Sequence, residues 1–317
     1  MASRNKCFAD DGWAIWVGGD DTSTIYFNEW VNPKGKSFVD VGIRIIGVQQ
    51  THELNVYVPF LLAADEIQDI SHLLRKPEIF RAVLNASGLM DYKKNACTSE
   101  MAYRGRSSDL VHLSEIEFVC ETLAEGTLIR VSIDALKGWL ENDEAYFLFR
   151  LPNKSLDRIF DPRRDAKNLL LRFRDLLTSP VVSEKYGYSL RINEGRMLPN
   201  EINKIGAFHR QKLKKAVVTI SVAEDYQVND SNCYRIRRLE EDLYRDYAPD
   251  GFDCSDAITY HWRQTRETDL RGHFNFYFDI SRDSISQISM LLYMVLLLLV
   301  GISGNILYDL IKKLLGW

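Results

Sequence analysis

The hydrophobic pattern of the chain changes character near residue 285. From Ile288 to Leu307, about twenty consecutive positions carry no Asp, Glu, Lys or Arg. A helix of that length spans roughly 30 Å, the thickness of a bilayer's hydrocarbon core, whereas a buried core helix usually has fewer apolar residues in a row. The pattern therefore predicts a single C-terminal transmembrane helix over residues 285–308, followed by a short tail over 309–317.

Before residue 285 the dominant pattern is the two-residue alternation of β-strands. Val39, Val41 and Ile43 alternate with more polar positions, and polar turn segments such as GGDD and NPKG separate the neighbouring β-branched runs. The stretch Phe274–Ile280 alternates in the same way. Short alternating strands with polar turns favour antiparallel sheets.

Three of the longer segments have helical spacing. Ala63–Arg75 places Ile and Leu residues on one face, and Tyr234–Tyr247 is rich in helix formers. Pro162–Leu177 has the strongest signals, with Asp161 as the N-cap and Pro162 at the first helical position. We expect an α+β fold: a β-rich, two-domain soluble body with one C-terminal transmembrane helix. The predicted units are a β-rich α+β domain over 1–150, a basic helical or irregular segment over 151–215, and a small β-rich domain over 216–282.

Charge is unevenly distributed along the chain. The formal net charge is −4, yet residues 150–215 carry 16 Lys and Arg against 7 Asp and Glu. Residues 1–149 carry 14 against 22. A basic block in an acidic protein can attract anionic lipids, an acidic protein face or nucleic acid.

The block supplies the candidate binding residues, which are predicted to contact lipid or a partner protein: Arg163, Arg164, Lys167, Arg172, Arg174, Arg210, Lys212, Lys214 and Lys215. A nearby bilayer favours anionic lipid. Direct nucleic-acid binding is disfavoured, because no RRM, KH or helix-turn-helix pattern accompanies the charge. Solvation, or pairing with the acidic N-terminal half, is the alternative that assigns these residues no binding role.

Motifs for catalysis or cofactor binding are missing from the sequence. It has no phosphate-binding GxxxxGK[ST], no GxSxG and no HExxH, and its five cysteines lack metal-ligand spacing. We therefore predict no catalytic, cofactor or metal residues. In TYHWRQTR, Trp262 is either a buried strand residue or part of a pocket with His261, Arg263 and Arg266.

Two features bear on topology and assembly. Asp10 and Asp11 interrupt the region where a secretory signal would need its apolar core, so the body is expected in the cytoplasm. Within the apolar helix, Ser289, Gly301 and Gly304 are small residues of the kind that let helices approach closely in lipid. They are the candidates for helix association.

A large body without enzyme motifs, ending in one membrane helix, resembles the transmembrane effectors of prokaryotic antiviral defence operons. With its basic middle and the segments FVDVGIRIIG, LNVYVPF and TYHWRQ, the chain is most similar to the membrane proteins that accompany prokaryotic Argonautes. The resemblance implies a cytosolic sensor partner, possible homo-oligomerisation on activation, and loss of membrane integrity leading to cell death. A passive membrane scaffold or receptor for a partner protein is the second hypothesis, and an enzyme with an unfamiliar site is the third.

Overall fold

Two β-sheets face each other and enclose one large hydrophobic core. The computed structural model describes residues 7–18, 22–84, 90–93, 97–103, 106–160, 181–210, 212–229, 232–265, 273–285 and 287–315. The predicted helix Pro162–Leu177 lies outside these residues.

The strands alternate along the chain with short helices. The strands are β1 Cys7–Val17, β2 Thr22–Trp30, β3 Phe38–Ile46, β4 Glu53–Val58, β5 Gln68–Asp69, β6 Met90–Lys93, β7 Thr98–Tyr103, β8 Arg106–Val111, β9 Phe118–Leu123, β10 Gly126–Ser132, β11 Glu144–Pro152, β12 Val181–Ile192, β13 Lys212–Val222, β14 Gln227–Asn229, β15 Arg235–Arg238, β16 Ile258–Thr265 and β17 Phe274–Ile285. The α-helices are α1 Pro77–Leu84, α2 Lys154–Ile159, α3 Asn200–Ile205, α4 Glu241–Tyr244 and α5 Gln287–Leu315.

Early and late strands of the chain are neighbours in both sheets. The smaller sheet has the order β14-β17-β12-β1-β4-β10-β9. The larger has the order β15-β16-β13-β2-β3-β11-β8-β7-β6, with β5 also paired to β11. β1 lies parallel to β12, and β2 parallel to β13. The predicted α+β class and the β-rich body are confirmed, but the division into 1–150 and 216–282 follows the chain and not the sheets, since both segments contribute to one core.

The alternation read from the sequence corresponds to the two faces of the strands. Val39, Val41, Ile43 and Ile45 of β3 are fully buried in the core between the sheets. The intervening residues of β3 point to the outer face of the larger sheet, because successive side chains of a strand lie on opposite faces.

A second hydrophobic cluster covers part of that outer face. Trp30, Phe80, Leu148 and Tyr247 belong to it, contributed by β2, α1, β11 and the segment after α4. α1 and the α4 segment thus pack on the outside of the larger sheet. Next to these two segments, the outer face of the larger sheet is not covered and forms a cavity.

Two helix predictions were wrong. Residues 63–75 form two short 3₁₀-helices, Ala64–Glu66 and Ser71–Arg75, with β5 between them. Asp69 of β5 pairs with Phe149 of β11, and its carboxylate accepts hydrogen bonds from the backbone N–H groups of Ser71 and Ser114. These tertiary bonds override the helical spacing. Residues 234–247 form β15 and the single turn of α4 because the first part pairs with β16.

The C-terminal helix α5 has the character of a membrane span. Its segment Met290–Leu315 has a mean hydropathy of 2.3 and no burial against the rest of the described chain. It is the one described helix long and apolar enough to cross a bilayer. Where the sequence pattern suggested an end at 308, the helix continues through Asp309 to Leu315, because Leu310, Ile311 and Leu314 prolong the apolar surface.

The anchor can be tested by truncation after Ile285, which keeps every residue of β17. We expect the truncated protein in the soluble fraction and the full chain in the membrane fraction after high-salt and alkaline washes, because an inserted apolar helix is held far more strongly than an adsorbed charged surface. Sedimentation followed by immunoblotting measures the partition. Recovery of the full chain in the high-salt wash would contradict a membrane span.

Candidate functional site

An open groove lies on the outer face of the larger sheet. Its cavity has a volume of about 310 Å³. The floor consists of β2, β3, β13 and β16, the strand β15 forms one wall, and α1 together with α4 and the segment after it form the other.

Strand alternation decides which side chains reach the groove. β13 contributes every second residue from Lys215 to Ser221, and β16 contributes Thr259, His261 and Arg263. β15 contributes Arg235 and Arg237. The register pairs Arg235 with His261 and His261 with Thr219, so the three strands present one continuous surface.

The groove is electropositive. Lys215, Arg235, Arg237 and Arg263 line it, and Asp40 is the one carboxylate among the lining residues. Within the described part of the chain, none of the three arginines forms an ion pair with a carboxylate. Such a surface favours an anionic ligand.

Asp40 does not offset these cations, because its charge is already compensated. Arg150 donates from Nε to Asp40 Oδ1 at 2.6 Å and from Nη2 to Oδ2 at 3.0 Å, and both side chains are buried. Trp30 Nε1 donates to the same carboxylate at 2.7 Å. Arg150 also donates to the backbone oxygen of Tyr247 at 2.7 Å, which connects the sheet to the wall beside α4.

Arg237 is held in place by an aromatic residue. Its Nη2 donates to the Tyr244 hydroxyl at 2.5 Å, and its guanidinium lies 5.6 Å from the centre of the Tyr244 ring. That hydroxyl donates in turn to the backbone oxygen of Ala82 at 3.1 Å. Arg237 Nε is buried and has no protein partner among the described residues. A buried donor without a partner costs about 1–3 kcal/mol, so a ligand oxygen or a water would stabilise it.

His261 contributes a second buried polar atom without a partner. Its Nε2 forms no hydrogen bond within the described residues. Burial, followed by the charges of Arg237 and Arg235, lowers the pKa of His261 to about 4. The imidazole is therefore neutral at pH 7. An anion bound beside it would raise this pKa, because it would favour the charged form.

Only part of the predicted basic block can be located. Lys215 lines the groove, with Nζ 5.8 Å from the centre of the Tyr26 ring, and Lys214 is exposed. Arg210 and Lys212 belong to a described turn and to β13, but their side chains lie outside the described part. Arg163, Arg164, Lys167, Arg172 and Arg174 also lie outside it. Their lipid- or partner-binding role stays a prediction.

The motif around Trp262 divides between the two faces of β16. Trp262 is buried in the core and packs against Phe278 with ring centres 4.5 Å apart, as expected for a strand tryptophan. His261 and Arg263, on either side of it, line the groove. Arg266 lies outside the described residues. Arg235 and Arg237 were not among the predicted site residues, although the alternation in YRIRR is the sequence signal for them.

A second polar cluster lies inside the sandwich. Tyr188 donates to Glu29 Oε1 at 3.0 Å, and Asn153 Nδ2 donates to Glu29 Oε2 at 2.8 Å. Burial raises the pKa of Glu29 to about 8 and that of nearby Asp11 to about 7, although hydrogen bonds oppose the shift. Such pKa values suit a general acid. Glu29, however, is fully buried and Asp11 nearly so, which closes both to a substrate.

The described residues contain no group of three His, Cys, Asp or Glu side chains arranged to hold a metal.

In α5, Gly301 and Gly304 have open space around them. With 3.6 residues per turn they lie about 60° apart around the helix axis. The side chain of Ser289 lies outside the described part, and helix association through these three positions stays a prediction.

No protein-family model matches the chain, and no curated protein matches it. One solved structure that it was compared with is the mu homology domain of Fcho1 from Danio rerio with a bound Eps15 peptide. The two share 10% sequence identity over 86% of this chain and 80% of that chain, with a TM-score of 0.13. A score that low supports no statement about fold or function.

The Glu29 cluster predicts a pH dependence of stability. The pKa of Glu29 is about 8 in the folded protein and 4.5 in the unfolded chain. Protonated Glu29 therefore contributes its full stabilisation below about pH 4.5, and this contribution is lost as the pH rises through about 8. Replacing Glu29 with Gln removes one titrating group, so the fall in stability between pH 5 and pH 9 should become shallower. Denaturant unfolding of the full chain in detergent micelles measures it. Parallel curves for the two proteins would show that Glu29 does not hold its proton.

Proposed function

We propose that the protein is a tail-anchored membrane effector whose cytosolic body binds the phosphate of an anionic lipid headgroup in the groove. The observation that carries this proposal is the set of groove arginines without carboxylate partners, next to the buried, unpartnered Nε of Arg237. Arginine recognises phosphate well, because its planar guanidinium can donate two parallel hydrogen bonds.

Lipid is favoured over a soluble anion by the position of the anchor. β17 ends at Ile285 and α5 begins at Gln287. Arg282 of β17 forms an ion pair with Asp225 at 2.7 Å, and Asp225 lies in the turn that follows β13. The C-terminal end of β13, where Ser221 lines the groove, is therefore at the end of the sandwich from which α5 departs. A tether of this kind raises the effective concentration of headgroups at the body.

Membrane damage would require more than one copy of α5. Between Ile288 and Leu307 the helix has no Asp, Glu, Lys or Arg, so a single copy does not supply a polar path for ions. Several helices packed through Gly301 and Gly304 could open or thin the bilayer. In this proposal a cytosolic sensor protein supplies the clustering. A passive scaffold would bind the same partner without damage.

Neutralising the groove should weaken lipid binding. Full-length protein in zwitterionic nanodiscs would be mixed with fluorescent phosphatidylglycerol vesicles, comparing the parent with the triple variant Arg235→Gln, Arg237→Gln and Arg263→Gln. Each basic residue near an anionic surface contributes about 1 kcal/mol, so we expect at least a roughly tenfold loss of affinity.

The matched control for that experiment changes the same amount of charge elsewhere, at the exposed residues Lys34, Lys185 and Lys204, each replaced by Gln. It should bind nearly as well as the parent. Equal losses in both variants would mean that binding follows net charge and that the groove is not the site. Competition by inorganic phosphate alone would point to a soluble anion.

The effector role predicts that damage depends on the sequence of α5. Enforced dimerisation should depolarise cells that carry the native helix, and spare cells in which residues 288–307 are replaced by leucine, because poly-leucine anchors without the small residues. A potential-sensitive dye measures depolarisation. If neither protein depolarises cells at equal expression, the scaffold is the better hypothesis. If both do, the body causes the damage and not helix packing.

A further inference from the structure

The wall of the groove formed by β15 has a second surface, its free edge. We propose that this edge binds an extended acidic segment of a partner protein, which adds to the larger sheet as one more strand. This inference does not rest on lipid binding, because it uses the backbone of β15 and not the floor of the groove.

The backbone register leaves hydrogen-bonding groups exposed along β15. Within the described part of the chain, β15 is the last strand of its sheet and pairs on one side only, with β16. Leu239 N–H donates to the backbone oxygen of Ala257 at 2.7 Å. In an antiparallel ladder the backbone N–H and C=O groups of alternate residues point towards the neighbouring strand. The backbone groups of Arg237 and Arg235 therefore also point towards β16. The N–H and C=O groups of Ile236 and Arg238 consequently point away from the sheet.

The side chains at this edge are unusually apolar for an unprotected strand. Ile236 is 60% exposed and Tyr234 is 73% exposed. Ile236 lies opposite Tyr260, which belongs to the core between the sheets. Sheet edges are commonly protected by charges, which would be the simplest explanation for the arginines here. Charge protection does not explain an exposed isoleucine in β15 and an exposed tyrosine immediately before it.

The positive charge of β15 determines which kind of segment can pair with its free edge. Arg238 is already paired with Asp256 at 2.5 Å, whereas Arg235 and Arg237 have no carboxylate partner among the described residues. A second copy of β15 would place arginine beside arginine, which disfavours self-pairing. A segment in which acidic and apolar residues alternate would pair its carboxylates with Arg235 and Arg237 and cover the exposed side chain of Ile236. This is strand addition, in which backbone bonds give affinity and alternate side chains give specificity.

The two surfaces share residues, so their ligands should compete. Arg235 and Arg237 project into the groove, and an acidic strand on β15 would neutralise the same guanidinium groups that we assign to the lipid phosphate. A partner seated on the edge would thus lower the affinity of the groove for an anion.

The test uses the full chain in detergent micelles and a fluorescent, short peptide that alternates glutamate and valine. The decisive variant is Ile236→Pro. This substitution removes the backbone N–H of residue 236, which points away from β16. Proline is tolerated on an edge strand where the N–H faces solvent, so we expect the fold and the charges of the groove to persist. We expect this variant to bind the peptide at least tenfold more weakly by anisotropy. The control Ile236→Val, which keeps the N–H and the branched side chain, should bind like the parent.

Hydrogen exchange gives an independent readout. On peptide addition the amides of Ile236 and Arg238 should become protected, while those of Arg235 and Arg237 are already bonded to β16 and should change little. A peptide of the same composition with its glutamates in one block should bind weakly. Equal binding of the two peptides, equal binding by the proline variant, or absence of new protection would each overturn strand addition. The Ile236→Pro variant keeps the groove arginines, so it should still bind phosphatidylglycerol vesicles. Loss of vesicle binding by the parent protein would count against the lipid proposal and not against strand addition.

Discussion

The buried ion pair between Asp40 and Arg150 determines the character of the groove. It joins β3 to β11 at the floor of the groove, and Arg150 extends the connection to the backbone of Tyr247 in the wall. Burying two charges is costly, and removing one partner of such a pair typically costs 3–5 kcal/mol, because the other charge is left alone. Because Arg150 compensates its charge, Asp40 adds no free carboxylate to a groove lined by Arg235, Arg237 and Arg263.

The sequence predicts the strands and the anchor better than the site. Alternation in β3 and β17 is local information, as is the length of the apolar run in α5. The groove depends on β2 lying parallel to β13, which is separated from it by most of the chain. No local pattern encodes that pairing. The strand β15 illustrates the same limit, since its residues have good helix propensity and become a strand only because β16 is beside them.

The strand β16 shows how one short motif can serve two purposes. Tyr260 and Trp262 face the core, with their rings stacked 6.2 Å apart, while His261 and Arg263 face the groove. From sequence, the buried tryptophan and the binding pocket were alternatives. The structure has a buried tryptophan and a cavity beside its neighbours, because adjacent residues of a strand occupy opposite faces. The low pKa of His261 comes first from the burial of its imidazole and then from the two guanidinium groups, Arg237 and Arg235, that the neighbouring strand places beside it.

The junction between the body and α5 limits how far the groove can move relative to that helix. β17 pairs with β12 along its whole length, up to Ile285. The end of β17 is held by Arg282, which pairs with Asp225 and lies 5.2 Å from the centre of the Tyr226 ring. One residue between strand and helix spans at most about 3.6 Å, so the sandwich cannot swing on a long tether.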